Sequence, residues 1–163
     1  PLDPVEILVA DGASDRERLW SVRREMSRTL RSLAAHKLSE DVVVPRSRLG
    51  ALLTACRQIA ARERVRMPSY GHAGDGNLHV NFLWDDDADA PRVRRAGRAV
   101  FEEVIRLGGT LTGEHGIGAA KAEHLSLEQS LEVIALEERL KATFDPRGIL
   151  NPGKIFPAHA HAC

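Results

Sequence analysis

Two histidines flank a glycine-rich turn in residues 70–81, and they are the side chains best suited to chemistry. His72 and His79 lie on either side of Asp75-Gly76, a strong turn signal, so the segment predicts a β-hairpin that brings the imidazoles across from each other. Two imidazoles at the ends of paired strands can share one metal ion. Asn81 follows His79 by two residues and so shares its face, where it can hold a ligand beside the ion.

A second glycine-rich segment, residues 108–118, carries Glu114 and His115 next to each other. They can add a third metal ligand and a base to the two histidines. Two imidazoles and one carboxylate leave open positions on Zn²⁺, Mn²⁺ or Fe²⁺ for a substrate. A neutral imidazole suits the removal of a hydroxyl proton. Together the two segments indicate a metal-assisted site.

Structural interpretations of the same residues stand beside this one. A histidine at a strand end is often only hydrogen-bonded, and Asp75-Gly76 is equally typical of a plain turn. Arg23 and Arg24, near Trp20, are either solvated or form a bidentate clamp for a carboxylate. The remaining histidines lack a chemical context and are interpreted as surface residues: His36, His124, His159 and His161.

The first elements that must position these residues follow from hydrophobic periodicity. Residues 6–10 predict a strand, and a capping-box pattern at residues 14–17 predicts a helix over residues 15 to about 34. The expected buried stripe of that helix is Leu19, Val22, Met26 and Leu30. A strand at residues 41–44 precedes a helix that starts at Pro45 and buries Leu49, Leu52, Leu53, Cys56 and Ile59.

The second half continues with the hairpin strands at residues 65–71 and 77–84. A third helix, stopped by Gly108-Gly109, is marked by Val93, Ala96, Val100, Val104 and Leu107. Residues 110–112 predict a strand, and a capping box at residues 126–129 opens a last helix that ends at Asp145-Pro146. Its expected buried side includes Leu131, Ile134, Leu140 and Phe144. This order predicts an α+β fold with an antiparallel sheet covered by helices.

Composition restricts the partners. A chain of 163 residues fits one domain, and its 23 basic and 23 acidic residues are scattered, which argues against nucleic acid or a bare membrane as a partner. No apolar run is long enough for an integral membrane segment. Cys56 and Cys163 give no disulfide framework. We therefore expect a cytoplasmic protein, or one peripheral to the membrane through partner subunits.

Three motifs, at residues 71–79, 113–118 and 144–154, resemble the C-terminal domain of FAD-linked oxidases. That family includes the glycolate oxidase flavoprotein subunit, D-lactate dehydrogenases and D-2-hydroxyglutarate dehydrogenase, within the vanillyl-alcohol oxidase superfamily. The resemblance extends over residues 19–156. It implies a ferredoxin-like cap domain that packs over a separate FAD domain.

The resemblance also implies roles for individual residues. The metal ligands would be His72, His79 and Glu114, and His115 would take the hydroxyl proton. The substrate carboxylate would be held by Arg23, Ser27 and Asn81, and Asn151 is a candidate FAD contact. The lysine of the D-2-hydroxyglutarate branch falls at Ser39, with Lys37 out of register, which leaves the substrate acid open.

The implied activity is oxidation of a D-2-hydroxy acid, such as glycolate or D-lactate, to the 2-oxo acid with FAD as hydride acceptor. FAD would be bound mainly by a domain of the same or a companion chain, and nothing in the sequence selects the electron acceptor. The sequence alone is expected to be inactive, and the cap domain's own first strand and helix are expected to lie outside it.

Two other functions remain open at this point. The same two histidines and glutamate would suit a metal-dependent hydrolase, although the HExxH helix of the commonest type is absent. A non-catalytic subunit of a split flavoenzyme is the other alternative.

Overall fold

The fold is a small antiparallel sheet with helices packed on it, which confirms the predicted α+β class. A computed structural model of the chain describes residues 8–156. Its principal elements are α1 (Ala13–Arg31), β1 (His36–Val43), α2 (Leu49–Glu63), β2 (Ser69–His72), β3 (Asn77–Trp84), α3 (Ala90–Arg106) and α4 (Leu131–Phe144). Three short 3₁₀ helices lie at Arg46–Arg48, Asp87–Asp89 and Ala122–Leu127.

β3 is the centre of the sheet, which has the order β1-β3-β2 with both pairings antiparallel. Every residue of β3 except Trp84 is buried, because the strand has a neighbour on each side and is covered on both faces. Polar residues on β3, including His79 and Asn81, are therefore held in fixed positions. The central strand is the rigid platform for the candidate site.

The hydrophobic core lies between the sheet and helices α2 and α3. Their buried residues recur at helical spacing, as the periodicity predicts. α2 contributes Leu52, Cys56 and Ile59, and α3 contributes Val93, Ala96, Gly97, Val100, Phe101 and Val104. Val80 and Phe82 of β3 are fully buried against them. α3 ends before Gly108, whose φ of 77° is the left-handed conformation expected after a helix.

Helix α1 differs from its prediction in its start and in its burial. It begins at Ala13, with an extended Gly12 as N-cap and no side-chain cap, so the predicted capping box at residues 14–17 is wrong. The predicted buried stripe is also wrong: no residue of α1 is buried, and Leu19 and Val22 are exposed. The reason is that no element within residues 8–156 covers that side of the helix.

The last helix shows the same two differences. Ser130 is its N-cap and accepts a hydrogen bond from the amide of Val133, whereas the predicted cap residue Ser126 lies in a 3₁₀ helix. Of the predicted buried side only Ile134 is buried; Leu131, Leu140 and Phe144 are exposed. Periodicity finds an apolar face, but it cannot say whether the described chain covers that face.

Two predicted strands also need correction. The run at residues 6–10 falls partly outside the described residues, and residues 8–10 are not in a strand. Residues 110–112 form only a single bridge, from Thr110 to Val43, because the chain turns away into the glycine-rich loop. Within residues 8–156 no helix is both long and apolar enough to span a bilayer.

The β2–β3 turn offers a stability test with an internal control. Gly76 has φ 80°, and a Cβ there would lie 2.1 Å from the carbonyl oxygen of Val44, whereas a Cβ on Gly74 would meet nothing within 4 Å. We expect Gly76→Ala to lower the free energy of unfolding by at least about 2 kcal/mol and Gly74→Ala to change it by less than about 1 kcal/mol. Urea unfolding measures both, and equal effects would contradict the described turn.

Candidate metal centre

The hairpin brings the two predicted histidines together, but diagonally rather than directly opposite. Tyr70 pairs with His79 and His72 pairs with Asn77, so His72 and His79 lie on one face, two residues apart in register. Their ring centroids are 5.7 Å apart in an edge-to-face arrangement. Asp75 accepts a hydrogen bond from the amide of Asn77 at 3.1 Å, so it acts as a turn residue.

The loop after residue 111 carries Glu114 and His115 to the same point. Oε1 of Glu114 lies 3.1 Å from Nε2 of His79, and the His115 ring stacks on the His79 ring with centroids 5.6 Å apart. One ligand atom from each of His72, His79 and Glu114 lies within 4.8 Å of the others. His79 is buried, while His72 and Glu114 are exposed, so the group opens to solvent on one side.

Asp41 holds this loop in place, and the sequence interpretation did not find it. Its side chain is completely buried on β1, directly across from His79 in the register. Its Oδ2 accepts hydrogen bonds from the amides of Gly113, Glu114 and His115, at 2.8, 2.6 and 3.0 Å. Successive amides aimed at one carboxylate form an anion-binding nest. The backbone position of Glu114 and His115 therefore depends on Asp41.

Lys121 completes the arrangement and was also missed. Its buried ammonium donates to the Asp41 side chain at 2.7 Å, and to the carbonyl oxygens of Asp41 and Leu111 at 2.9 and 2.7 Å. The side chain of Glu40 lies 3.4 Å from it. The available signal was an acidic residue, Asp41, at the start of a strand predicted to be buried, and a lysine between alanines at position 121.

Comparison with known proteins shows the family of the chain. The family described as "FAD linked oxidases, C-terminal domain" matches residues 3–155 of the chain. The chain belongs to this family. The match covers the hairpin, the glycine-rich loop and the segment after α4, which are the three motifs of the resemblance.

Individual members of the FAD-linked oxidase family show how the chain relates to whole proteins. It is 40% identical over 160 residues to the glycolate oxidase subunit GlcD of Bacillus subtilis, covering 97% of this chain and 34% of that protein. It is 30% identical to the mitochondrial D-lactate dehydrogenase [cytochrome] of Arabidopsis thaliana, covering 94% and 28%. It is 34% identical to the D-2-hydroxyglutarate dehydrogenase of Stutzerimonas stutzeri, covering 87% and 32%. The chain thus spans about a third of the length of these curated relatives.

Arg23, predicted to bind the substrate carboxylate, lies at the edge of the candidate centre. Its Nη2 is 3.3 Å from Nε2 of His72, and its guanidinium lies 5.0 Å from the centre of the Tyr70 ring. Since arginine only donates, a hydrogen bond between these two groups has Nε2 of His72 as its acceptor. The neighbouring Arg24 instead forms an ion pair with Glu17. Of the two arginines, Arg23 is the one that faces the histidines.

Ser27 lies farther along α1 and is bound to Lys37, whose ammonium donates to the serine hydroxyl at 2.8 Å. Lys37 thus reaches the region that the resemblance assigns to a lysine at position 39, although it precedes that position by two residues. A cavity of about 490 Å³ lies here, lined by Arg24, Ser27, Arg28, Arg31, Lys37 and Ser39.

The other two predicted contacts differ in their surroundings. Asn81 lies on the same strand as His79 and is fully buried, and its amide group donates to the carbonyl oxygens of Pro68 and His79. Its Oδ1 has no hydrogen-bond partner among the described residues. Asn151 is exposed in the segment after α4, with φ 48°. Its carbonyl oxygen accepts from the amide of Lys154, and its role as a FAD contact stays a prediction.

The histidines outside the centre divide into two kinds. His124 is largely buried and lies 4.9 Å from Phe101 between ring centroids, so its interpretation as a surface residue is wrong. His36 is partly exposed and stacks on Trp84. His159 and His161 lie outside the described residues.

Burial favours the neutral imidazole at the centre. It lowers the pKa of His79 below 6.5, and the neighbouring Glu114 carboxylate opposes this effect without reversing it. Burial also lowers the pKa of His124 below 6.5. Burial acts in the opposite direction on Asp41, but the hydrogen bonds from the loop amides and Lys121 exceed it and lower the carboxyl pKa. Asp41 therefore stays ionised and His79 stays available as a nitrogen ligand.

These shifts predict how stability depends on pH in metal-free protein. Between the folded pKa and 6.5, a His79 or His124 side chain binds more protons when unfolded, so stability falls as the pH is lowered from about 7.5 to about 5. We expect His79→Asn to reduce this slope and the His79→Asn, His124→Asn pair to reduce it further. Urea unfolding with a chelator present measures the slopes, and an unchanged slope in both variants would contradict the assignment.

Proposed function

We propose that this chain is the substrate- and metal-binding part of a flavin-dependent enzyme that oxidises a D-2-hydroxy acid to the 2-oxo acid. Family membership supports the proposal, since the family is that of FAD-linked oxidases. The names of the relatives include glycolate oxidase, D-lactate dehydrogenase and D-2-hydroxyglutarate dehydrogenase. Glycolate and D-lactate are the first candidate substrates. FAD and a divalent metal are the proposed cofactors.

One observation carries the proposal: three imidazoles and one carboxylate converge on a point that is open to solvent on one side. His72, His79 and Glu114 offer three donors within 4.8 Å of one another, and His115 stacks on His79. This donor set fits Zn²⁺, Mn²⁺ or Fe²⁺ and leaves coordination positions for substrate oxygens. A bound cation would stabilise negative charge on a coordinated hydroxyl oxygen.

His115 is the proposed general base. Its Nδ1 lies 3.4 Å from Oδ1 of Asp41, and the ionised carboxylate favours the tautomer with the proton on Nδ1. Nε2 is then the free acceptor for the hydroxyl proton of the substrate. The ring is half exposed on the open side of the centre, where a substrate has access.

Arg23 is proposed to hold the substrate carboxylate. Arg23 lies at the rim beside His72, and its guanidinium can form two parallel hydrogen bonds to a carboxylate. Asn81, two residues beyond His79 on the central strand, is proposed as a substrate contact through its free Oδ1, which can accept a hydrogen bond from a substrate hydroxyl but not from a carboxylate. Ser27 with Lys37 lies farther out and suits a longer acid, in which a second polar group extends beyond the metal-bound end.

FAD is proposed to be held mainly by a region outside residues 8–156, in the same or a companion chain. The described sheet is wholly antiparallel and contains no strand–loop–helix–strand unit of the kind that binds dinucleotides. Asn151 remains the one proposed contact from this chain. Residues 8–156 therefore provide the metal side of the site, and the flavin would supply the hydride acceptor opposite it.

The metal site is tested with the chain itself. We expect the metal-free protein to bind about one equivalent of Zn²⁺ or Mn²⁺, and the His72→Ala, His79→Ala double variant to lose this binding by at least about a hundredfold in affinity. Isothermal titration with each metal ion measures the affinity. The matched control is His36→Ala, since His36 stacks on Trp84 away from the centre. Unchanged affinity in the double variant would overturn the ligand assignment.

The proton transfer is tested in a protein that joins this chain to a flavin-binding region. We expect His115→Ala to lower kcat for D-lactate or glycolate by about 10² to 10⁴, the usual contribution of a general base, while metal content is retained. Steady-state kinetics and metal analysis of the same preparation provide the two readouts. Full activity in the variant would exclude His115 as the base.

A further inference from the structure

Asp41 and Lys121 form a buried ion pair beneath the candidate centre, and neither side chain is positioned to contact a substrate. Asp41 is fully buried and Lys121 is 3% exposed. Their charged atoms are 2.7 Å apart. Taking both charges out of water is costly, so a pair at this place needs every remaining hydrogen-bonding position filled.

Polar groups of the loop that carries Glu114 and His115 fill the remaining hydrogen-bonding positions of Asp41. Oδ2 of Asp41 accepts hydrogen bonds from three successive loop amides. The Thr112 hydroxyl lies 3.1 Å from Oδ1 and 3.2 Å from Oδ2 of the same carboxylate and donates to it. The Thr112 oxygen in turn accepts from the amide of Gly116 at 2.8 Å. Lys121 ties the start of the loop to β1, since its ammonium donates to the carbonyl oxygens of both Leu111 and Asp41.

Among the described residues, the other contacts of the loop lie mostly at its two ends, where the amide of Leu111 donates to Glu128 and the carbonyl oxygen of Gly118 accepts from Ile155. Gly113 packs closely on Asn77 and Val43, but Glu114, His115 and Gly116 are exposed. The positions of the two functional side chains are therefore set by the carboxylate beneath them, while the two histidines of the hairpin are set by strand pairing.

We propose that the Asp41–Lys121 ion pair is a positioning device that places Glu114 as the third metal ligand and His115 as the base, in register with the hairpin histidines. The inference rests on the proposed function. It assigns the ion pair a role at the metal centre beyond stabilising the fold. Its signature is an energetic coupling between Asp41 and Glu114 that is absent between Asp41 and His72.

A double-mutant cycle on Zn²⁺ affinity measures that coupling. The six proteins are the unmutated chain, Glu114→Gln, His72→Ala, Asp41→Asn and the two combinations of Asp41→Asn with the other changes. Asparagine keeps the shape of aspartate but loses its charge and one acceptor oxygen. The probe is Zn²⁺ alone, in competition with a chromophoric chelator, with circular dichroism to check folding.

We expect Glu114→Gln to weaken Zn²⁺ binding by about tenfold or more in the unmutated chain and by less than about threefold beside Asp41→Asn. His72→Ala should weaken binding by the same factor in both backgrounds. A purely structural role for Asp41 would leave the Glu114 factor unchanged, and that result would overturn the inference. Failure of the unmutated chain to bind Zn²⁺ would instead overturn the proposed function together with this inference.

If Asp41→Asn does not fold, Thr112→Val decides the question. It removes one donor to Asp41 and the link to Gly116 at nearly constant volume. We expect it to reduce the Glu114→Gln factor at least twofold, whereas Thr110→Val should leave that factor unchanged, because Thr110 contacts β1 through its backbone. An equal factor in the two threonine variants would contradict the positioning role.

Discussion

The candidate centre depends on one buried carboxylate. Asp41 has no exposure to solvent, yet its side chain accepts hydrogen bonds from the loop backbone, from Thr112 and from Lys121. Each hydrogen bond to a charged group contributes about 1.5–3 kcal/mol, and leaving such a charge unpaired would cost more. The loop with Glu114 and His115 has few other tertiary hydrogen bonds. The carboxylate therefore determines where the loop lies.

The two halves of the centre are held by different kinds of force. The hairpin half follows from backbone pairing, since β3 is bonded on both sides and its register fixes His79 and, through β2, His72. The loop half follows from electrostatics within the protein interior. Asp41 joins the two halves because it lies on β1 directly across from His79. A small sheet is thus sufficient to organise a site whose ligands come from distant parts of the chain.

The sequence predicted the hairpin and the core helices, because strand alternation, turn glycines and helical periodicity are local signals. The meeting of Glu114 and His115 with the hairpin histidines was implied by the family resemblance rather than by any local pattern. The sequence did not predict Asp41 or Lys121, since a buried ion pair arises from tertiary contacts that no local pattern encodes. The predictions of a buried stripe on α1 and on α4 were wrong for a related reason. Val22 and Phe144 are apolar, but the burial of a side chain depends on another element that covers it. The diagonal placement of the two histidines follows from a turn of four residues, since His72 pairs with Asn77 rather than with His79.

The contacts of Asp41 also bear on the order of folding. Its loop partners are 71 to 80 residues later in the chain, so the carboxylate must remain hydrated while the intervening segments are made. At about 5–20 residues per second, a ribosome needs on the order of ten seconds for that stretch. The hairpin, in contrast, joins residues only a few positions apart and closes on the order of microseconds. During synthesis, the histidine pair would therefore form well before the glutamate that joins it.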